Sequence, residues 1–251
     1  MEQSPENQAS PLPDDIHAVL SPLVAAAKEA FGADLVSLVL FGSAAEGRLR
    51  ATSNVNLLFV LERFDQSKAD SFREPLRAGH AALKLSTMFV LQSELHASFE
   101  VFAVKFEDIA KRHRLLFGQD VLSGLAASRQ ARLGALRQLL LNLSMRLRER
   151  YMATSLREEQ LARVIAEAAA PLRSAAAVIL DLEGRRARSP KEALETLVRD
   201  IGGTFGDTVL QSLSQAREER LLAPGAAAAA AGGLMELSKT MRDYVERLAK
   251  P

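Results

Sequence analysis

The chain has 251 residues, 48% hydrophobic and 25% charged, with a net charge of +1. That length suits two compact domains, and so even a charge balance excludes a strong field drawing nucleic acid or an acidic membrane from a distance. Cysteine is absent, which excludes disulfides, thiolate zinc sites and cysteine nucleophiles, and no segment is an uninterrupted apolar span of membrane length.

In chain order, residues 1 to 13 are rich in Glu, Gln, Asn, Ser and Pro and read as a disordered leader without the apolar core of a signal peptide. A cytoplasmic protein is therefore expected. Asp14 or Ser21 caps a helix running to Phe31, with Pro22 at a first-turn position and Gly32 as its stop. The run from Leu35 to Phe41 is almost entirely apolar, as in a strand buried on both faces. It breaks at Gly42-Ser43. Glycine lets the backbone turn sharply and approach a ligand, and the serine adds a hydroxyl and an amide, so such a corner can hold a phosphate. Ala44 to Leu49 is then expected as a short helix, Arg50 to Ser53 as a loop, and Val55 to Leu61 as a second strand. A helix over Ser67 to Ala82, started or kinked by Pro75, leads to a third strand, Leu85 to Leu91. Phe99 to Phe106 is aromatic and β-branched enough for a fourth strand, followed by a short helix from Glu107.

The stretch from Leu38 to Val60 resembles the nucleotidyltransferase superfamily that includes DNA polymerase β and the kanamycin nucleotidyltransferases. Its signature is a Gly-Ser turn followed by Asp-x-Asp on the next strand. Here the slot reads Asn54-Val55-Asn56. In the family the two carboxylates project from one face of a strand and grip Mg²⁺ ions that bridge the nucleotide phosphates. Asn54 and Asn56 keep that spacing without charge, and two neutral ligands do little to offset the cost of dehydrating Mg²⁺. By the same resemblance, anchored on Phe106, Asp108-Ile109 and Gly118, Lys105 stands where a strand carries the third acid. The resemblance thus implies an α+β fold, with a mixed sheet and helices over residues 14–122 and a helical bundle over residues 123–251. It implies nucleotide contacts at Gly42, Ser43, Arg48, Ser53 and Lys105, with Arg50 a further candidate, and it argues against the family's activity.

Helical periodicity governs the second half. Leu133, Leu136, Leu140, Leu143, Leu147 and Tyr151 recur at spacings of three and four, as do Leu161, Ile165, Ala168, Leu172, Ala175, Ile179 and Leu182. They predict an antiparallel pair of long helices, the second bent at Pro171. Shorter helices are expected at Pro190 to Asp200, Asp207 to Leu222 and Leu234 to Leu248, with the alanine run 226–231 as a helix start or a connector.

The favoured expectation is a catalytically inactive protein of this fold that requires no cofactor and binds a nucleoside triphosphate without Mg²⁺, a small molecule, or a protein through its bundle. Nucleic acid and membranes are not expected as partners. An active transferase would need other acids, such as Glu46, Glu100, Glu107 or Asp108. A purely structural interaction module is the third reading. His17, His80, His96 and His113 are too scattered to suggest a metal site.

Overall fold

The computed structural model describes residues 12–49, 53–202 and 206–250. All but the last two residues of the expected leader, and Arg50 with most of its loop, lie outside them. The chain divides into two compact units: residues 1–99 with 106–126, and residues 100–105 with 127–251. The sequence expectation set the boundary slightly earlier, after residue 122.

The first unit is built on a four-stranded sheet in the order β3-β2-β1-β4, with β1 (Leu35–Phe41), β2 (Val55–Leu61), β3 (Leu85–Leu91) and β4 (His113–Gly118). The first three strands have the bounds expected from their apolar runs. β1 pairs antiparallel with β2 and β4, and β2 pairs parallel with β3. The parallel pair demands a long crossover, which α2 (Gln66–Ala82) supplies, started by Asp65 accepting the Lys68 backbone N–H at 3.0 Å and carrying Pro75 within it. Helix α1 (Asp14–Phe31) begins after Pro13 without a side-chain cap and carries Pro22 inside it.

Alternation along the strands separates two apolar layers. Leu38, Leu40, Val55, Leu57, Phe59 and Leu85 face a layer shared with Ile16, Leu20, Leu23 and Phe31 of α1 and Phe72 of α2. Val39, Phe41, Leu58, Val60 and Val90 face the other, with Leu95, Phe99, Phe106 and Ile109. Those last four belong to α3 (Leu95–Val101) and α4 (Ala103–Lys111). The fourth strand expected at Phe99 to Phe106 is therefore helical. Phe99 of α3 and Phe106 and Ile109 of α4 all pack inward, and that burial outweighs the local β-propensity. The sheet is completed instead by β4, whose Gly118 holds φ +84 with no room for a side chain, since a Cβ would fall 2.0 Å from the Val36 carbonyl oxygen.

In the second unit, α5 (Arg129–Thr154) and α6 (Glu158–Leu182) form the expected pair, followed by α7 (Pro190–Ile201), α8 (Gly206–Glu219) and α9 (Ala226–Leu248). The alanine run is thus the start of α9. Alanines 162, 166, 168, 169, 175 and 176 of α6 are buried, most of them in one apolar core with residues of α5, α7, α8 and α9. Ser144 and Ser238, on α5 and α9, both donate to the Leu140 carbonyl at 3.0 Å, so the polar atoms at that contact are satisfied. Among the described residues no helix is long and apolar enough to cross a membrane.

The end of the sheet where β1 begins is pinned by Asp34. Its carboxylate accepts from Lys68 Nζ at 2.5 Å and Arg63 Nε at 3.1 Å, and its carbonyl takes the Glu62 N–H at 2.9 Å. The Lys68 hydrogen bond, aided by Arg63 and opposed by desolvation, holds the Asp34 carboxyl below the usual carboxylate range. A carboxyl whose folded pKa is depressed stabilises above its unfolded value and loses that contribution as pH falls through the folded one. Asp34→Asn should therefore lower the urea midpoint at neutral pH, and the two proteins should converge under acid conditions well below about pH 4. A difference independent of pH would show that shape rather than charge matters there.

Candidate functional site

The corner sits where the apolar β1 can go no further. Gly42 turns with φ +78, Gly42–Ala44 form a single 3-10 turn, and Gly47 at φ +68 closes the next one. The short helix expected over Ala44 to Leu49 is thus no more than this 3-10 turn and the bend behind it, held by the Arg48 N–H on the Ser43 carbonyl at 2.8 Å. The Gly42 N–H donates to the Arg112 carbonyl at 2.9 Å, tying the corner to the residue that precedes β4.

Antiparallel pairing sets Phe41 opposite Asn56, which brings the Asn56 side chain to the corner: a Cβ on Gly42 would stand 3.4 Å from Asn56 Nδ2. The Asn56 amide also donates to the Asn54 carbonyl at 3.4 Å, a long bond. Asn54 is exposed and Asn56 half-buried, and their spacing puts both on the face of the sheet that carries Leu58 and Val60. Ser53 precedes them, half-buried, and Ser43 is half-buried at the corner. The Arg48 side chain is exposed.

Lys105 lies on the helix α4 and not on the strand expected for it. The strand that does adjoin β2 is β3, in register with Val55 opposite Leu85 and Asn56 opposite Ser86, and the Val55 N–H bonds the Lys84 carbonyl at 2.9 Å. The residues flanking Asn54 and Asn56 on that side are therefore Lys84 and Ser86, both exposed. On the other side the row continues through Phe41 to His113 of β4. His113 lies 2.9 Å from the Ala110 carbonyl through Nδ1 and 3.2 Å from Asp120 through Nε2.

The acids that could substitute for the missing pair are committed elsewhere. Arg112 binds Asp108 with Nε at 2.9 Å and Nη2 at 2.5 Å, and reaches Glu46 with Nη1 at 3.2 Å. Burial opposes the Arg112 charge, yet Asp108 and Glu46 together raise its pKa above the ordinary arginine value. Glu107 is buried. Glu100, in the second unit, accepts the Ser128 N–H at 2.6 Å and its hydroxyl at 2.8 Å at the start of α5.

A divalent cation requires anionic oxygens, and this set consists of two amides, a hydroxyl and an ammonium. Among the described residues no three His, Asp or Glu side chains converge in a way that could hold a metal ion. The residues present do not fit Mg²⁺.

Sequence reasoning did not single out Lys84 or Ser86, nor the ion pairs that Arg112 makes. Lys84 was within its reach, because two parallel strands beginning at Val55 and Leu85 put the residue before each side by side. The Asp108 to Arg112 spacing of four is likewise visible in the sequence, whereas the long-range link to Glu46 is not.

No protein-family profile matches this chain, and no curated protein sequence matches it. Among solved structures it is similar to the spectinomycin adenyltransferase AAD(9) from Enterococcus faecialis, crystallised with ATP and spectinomycin, with a TM-score of 0.60 over 89% of this chain and 99% of that one. Sequence identity is 11%, so the likeness is one of fold. The chain has the nucleotidyltransferase fold, with a mixed sheet and a helical second unit.

Removing the Arg112 guanidinium leaves two carboxylates, each about one-fifth to one-quarter exposed, without their shared partner. Arg112→Met is expected to destabilise the first unit by about 2–3 kcal/mol in denaturant unfolding. An unchanged midpoint would mean that the triad is merely a surface contact.

Proposed function

We propose that this protein is a catalytically inactive member of the nucleotidyltransferase fold that binds a nucleoside triphosphate at the Gly42-Ser43 corner without Mg²⁺. The observation that supports this reading is the register of β2 between β1 and β3. It gathers Asn54, Asn56, Lys84 and Ser86 at the corner, with no acid among them, while Glu46 and Asp108 are engaged by Arg112. Phosphoryl and nucleotidyl transfer depend on metal ions that neutralise the developing charge, and a site without anionic ligands forfeits that stabilisation. It also loses the repulsion that would keep an unmetallated triphosphate away. What is left is a donor-rich corner for an anion. The similarity to a structure holding ATP agrees with nucleotide as the ligand class.

Calorimetric titration with ATP, GTP, CTP and UTP, each with Mg²⁺ and with EDTA, tests the reading. Binding of at least one nucleotide should be insensitive to chelator and weaken with added salt. No nucleotidyl transfer should rise above background, because loss of metal-held charge stabilisation removes about a thousandfold or more in rate. Turnover that EDTA abolishes would overturn the assignment, as would the absence of binding to all four nucleotides.

A further inference from the structure

The second unit carries an apolar surface that its own core does not use. Helix α5 starts at the Ser128 cap, whose hydroxyl accepts the Ala131 N–H, and it buries Leu133, Leu136, Leu140, Leu143 and Leu147 in the core of the bundle. Leu141, Met145 and Met152 lie on the same helix but are 43%, 54% and 82% exposed, and Leu156, just past its end, is 98% exposed. At about 100° per residue the three helical positions fall within about 40° of one another, on the side of α5 roughly opposite the core leucines. Isolated exposed apolar residues need no explanation, whereas three in line with a fourth beyond them form a strip. Charge marks its edges. By the same count Arg148 falls about 45° to one side of the strip's centre line and Glu149 about 55° to the other, one residue apart in height. Both are exposed, and among the described residues neither makes an ion pair.

We infer that this strip is the contact through which a second copy of the chain docks, α5 against α5 in parallel, about a two-fold axis running along the helices. The order of the charges selects both the partner and the direction. A two-fold axis along the helices sets each flank of one strip against the opposite flank of the other, so Arg148 meets Glu149 of the second copy, and the pair occurs twice. An antiparallel arrangement sets each flank against its own copy, Arg148 on Arg148 and Glu149 on Glu149, which is repulsive on both sides. In the parallel arrangement Leu141, Met145 and Met152 each meet their own counterparts, and the unbranched methionines adapt to fill the seam. A strip of this length buries less than the roughly 1,200 Å² of a standard interface, so the dimer is reversible, with a Kd of about 10–100 µM. The surface belongs to the second unit and is independent of the ligand proposed for the Gly42-Ser43 corner.

The test uses the full chain in sedimentation velocity from about 5 to about 300 µM, a range that brackets the expected Kd. The sedimentation coefficient should rise with concentration toward that of a dimer. Met145→Glu combined with Met152→Glu should leave a monomer throughout, with an unchanged circular dichroism spectrum because both positions are exposed. Arg148→Glu alone should weaken association about tenfold, since it sets Glu against Glu twice, and Arg148→Glu with Glu149→Arg should restore it. Direction is read separately. The chain has no cysteine, so Met145→Cys and Met152→Cys, made singly, report on one position each. Both should form disulfide-linked dimers under mild oxidation, and faster than Arg150→Cys, which is exposed but lies off the strip. A parallel pair brings each position to its own counterpart, whereas an antiparallel pair does so for one of them at most. A monomer at every concentration, a dimer indifferent to the two glutamates, a charge swap that fails to restore association, or crosslinking at only one of the two strip cysteines would overturn the inference.

Discussion

The antiparallel pairing of β1 with β2 sets Phe41 opposite Asn56, and the chemistry of the corner descends from that register. Because β1 is buried on both faces, a one-residue slip would exchange its two apolar sets, which face different layers of helices, so the register is held by the whole core. Once it is held, the chain leaving β1 must turn beside the Asn56 amide. Gly42 does so with a positive φ that few other residues adopt. The same strand pairs on its other edge with β4, and the Gly42 N–H on the Arg112 carbonyl fastens the turn from that side. The corner is thus clamped between two neighbours by backbone bonds.

Charge is distributed around this clamp in a way that disfavours dications. The amides at positions 54 and 56 cannot supply the anionic field that makes dehydration of Mg²⁺ favourable. The strand alongside contributes a lysine. The two acids near the turn, Glu46 and Asp108, are bound into one network by a largely buried arginine, whose own charge is in turn stabilised by them. Freeing them for a metal would leave that guanidinium uncompensated, a cost of the same order as the interaction gained. The fold is shared with an adenyltransferase, whereas Asn54 and Asn56 at its corner carry no charge.

Much of this was legible in the sequence, for a physical reason. β1, β2 and β3 are short apolar runs bounded by polar or turn residues, and local pattern alone delimits such strands. The long helices of the second unit carry sustained leucine and alanine repeats that leave little ambiguity of period. The segment from Phe99 to Phe106 was misread because the aromatic and β-branched residues Phe99, Val101, Phe102, Val104 and Phe106 suit a strand by propensity, with alternation at 102, 104 and 106, as well as a helix. Only burial against the sheet separates the two. Val101 and Phe102 are in fact exposed, while Phe99 and Phe106 pack inward. That misreading carried Lys105 to a strand where it does not belong. The lysine that the fold places beside the Asn pair is Lys84, visible only when strand pairing is considered as well as strand existence.

The proposal that this corner holds no divalent metal can be tested without any nucleotide, by electron paramagnetic resonance of Mn²⁺. Titrated into the metal-free protein, Mn²⁺ should keep the spectrum of the free aquo ion, because no set of anionic oxygens awaits it at the corner. The variant combining Asn54→Asp, Asn56→Asp and Lys84→Glu should take up the ion. One Mn²⁺ bound by the natural chain and lost on Asn56→Ala would contradict the account.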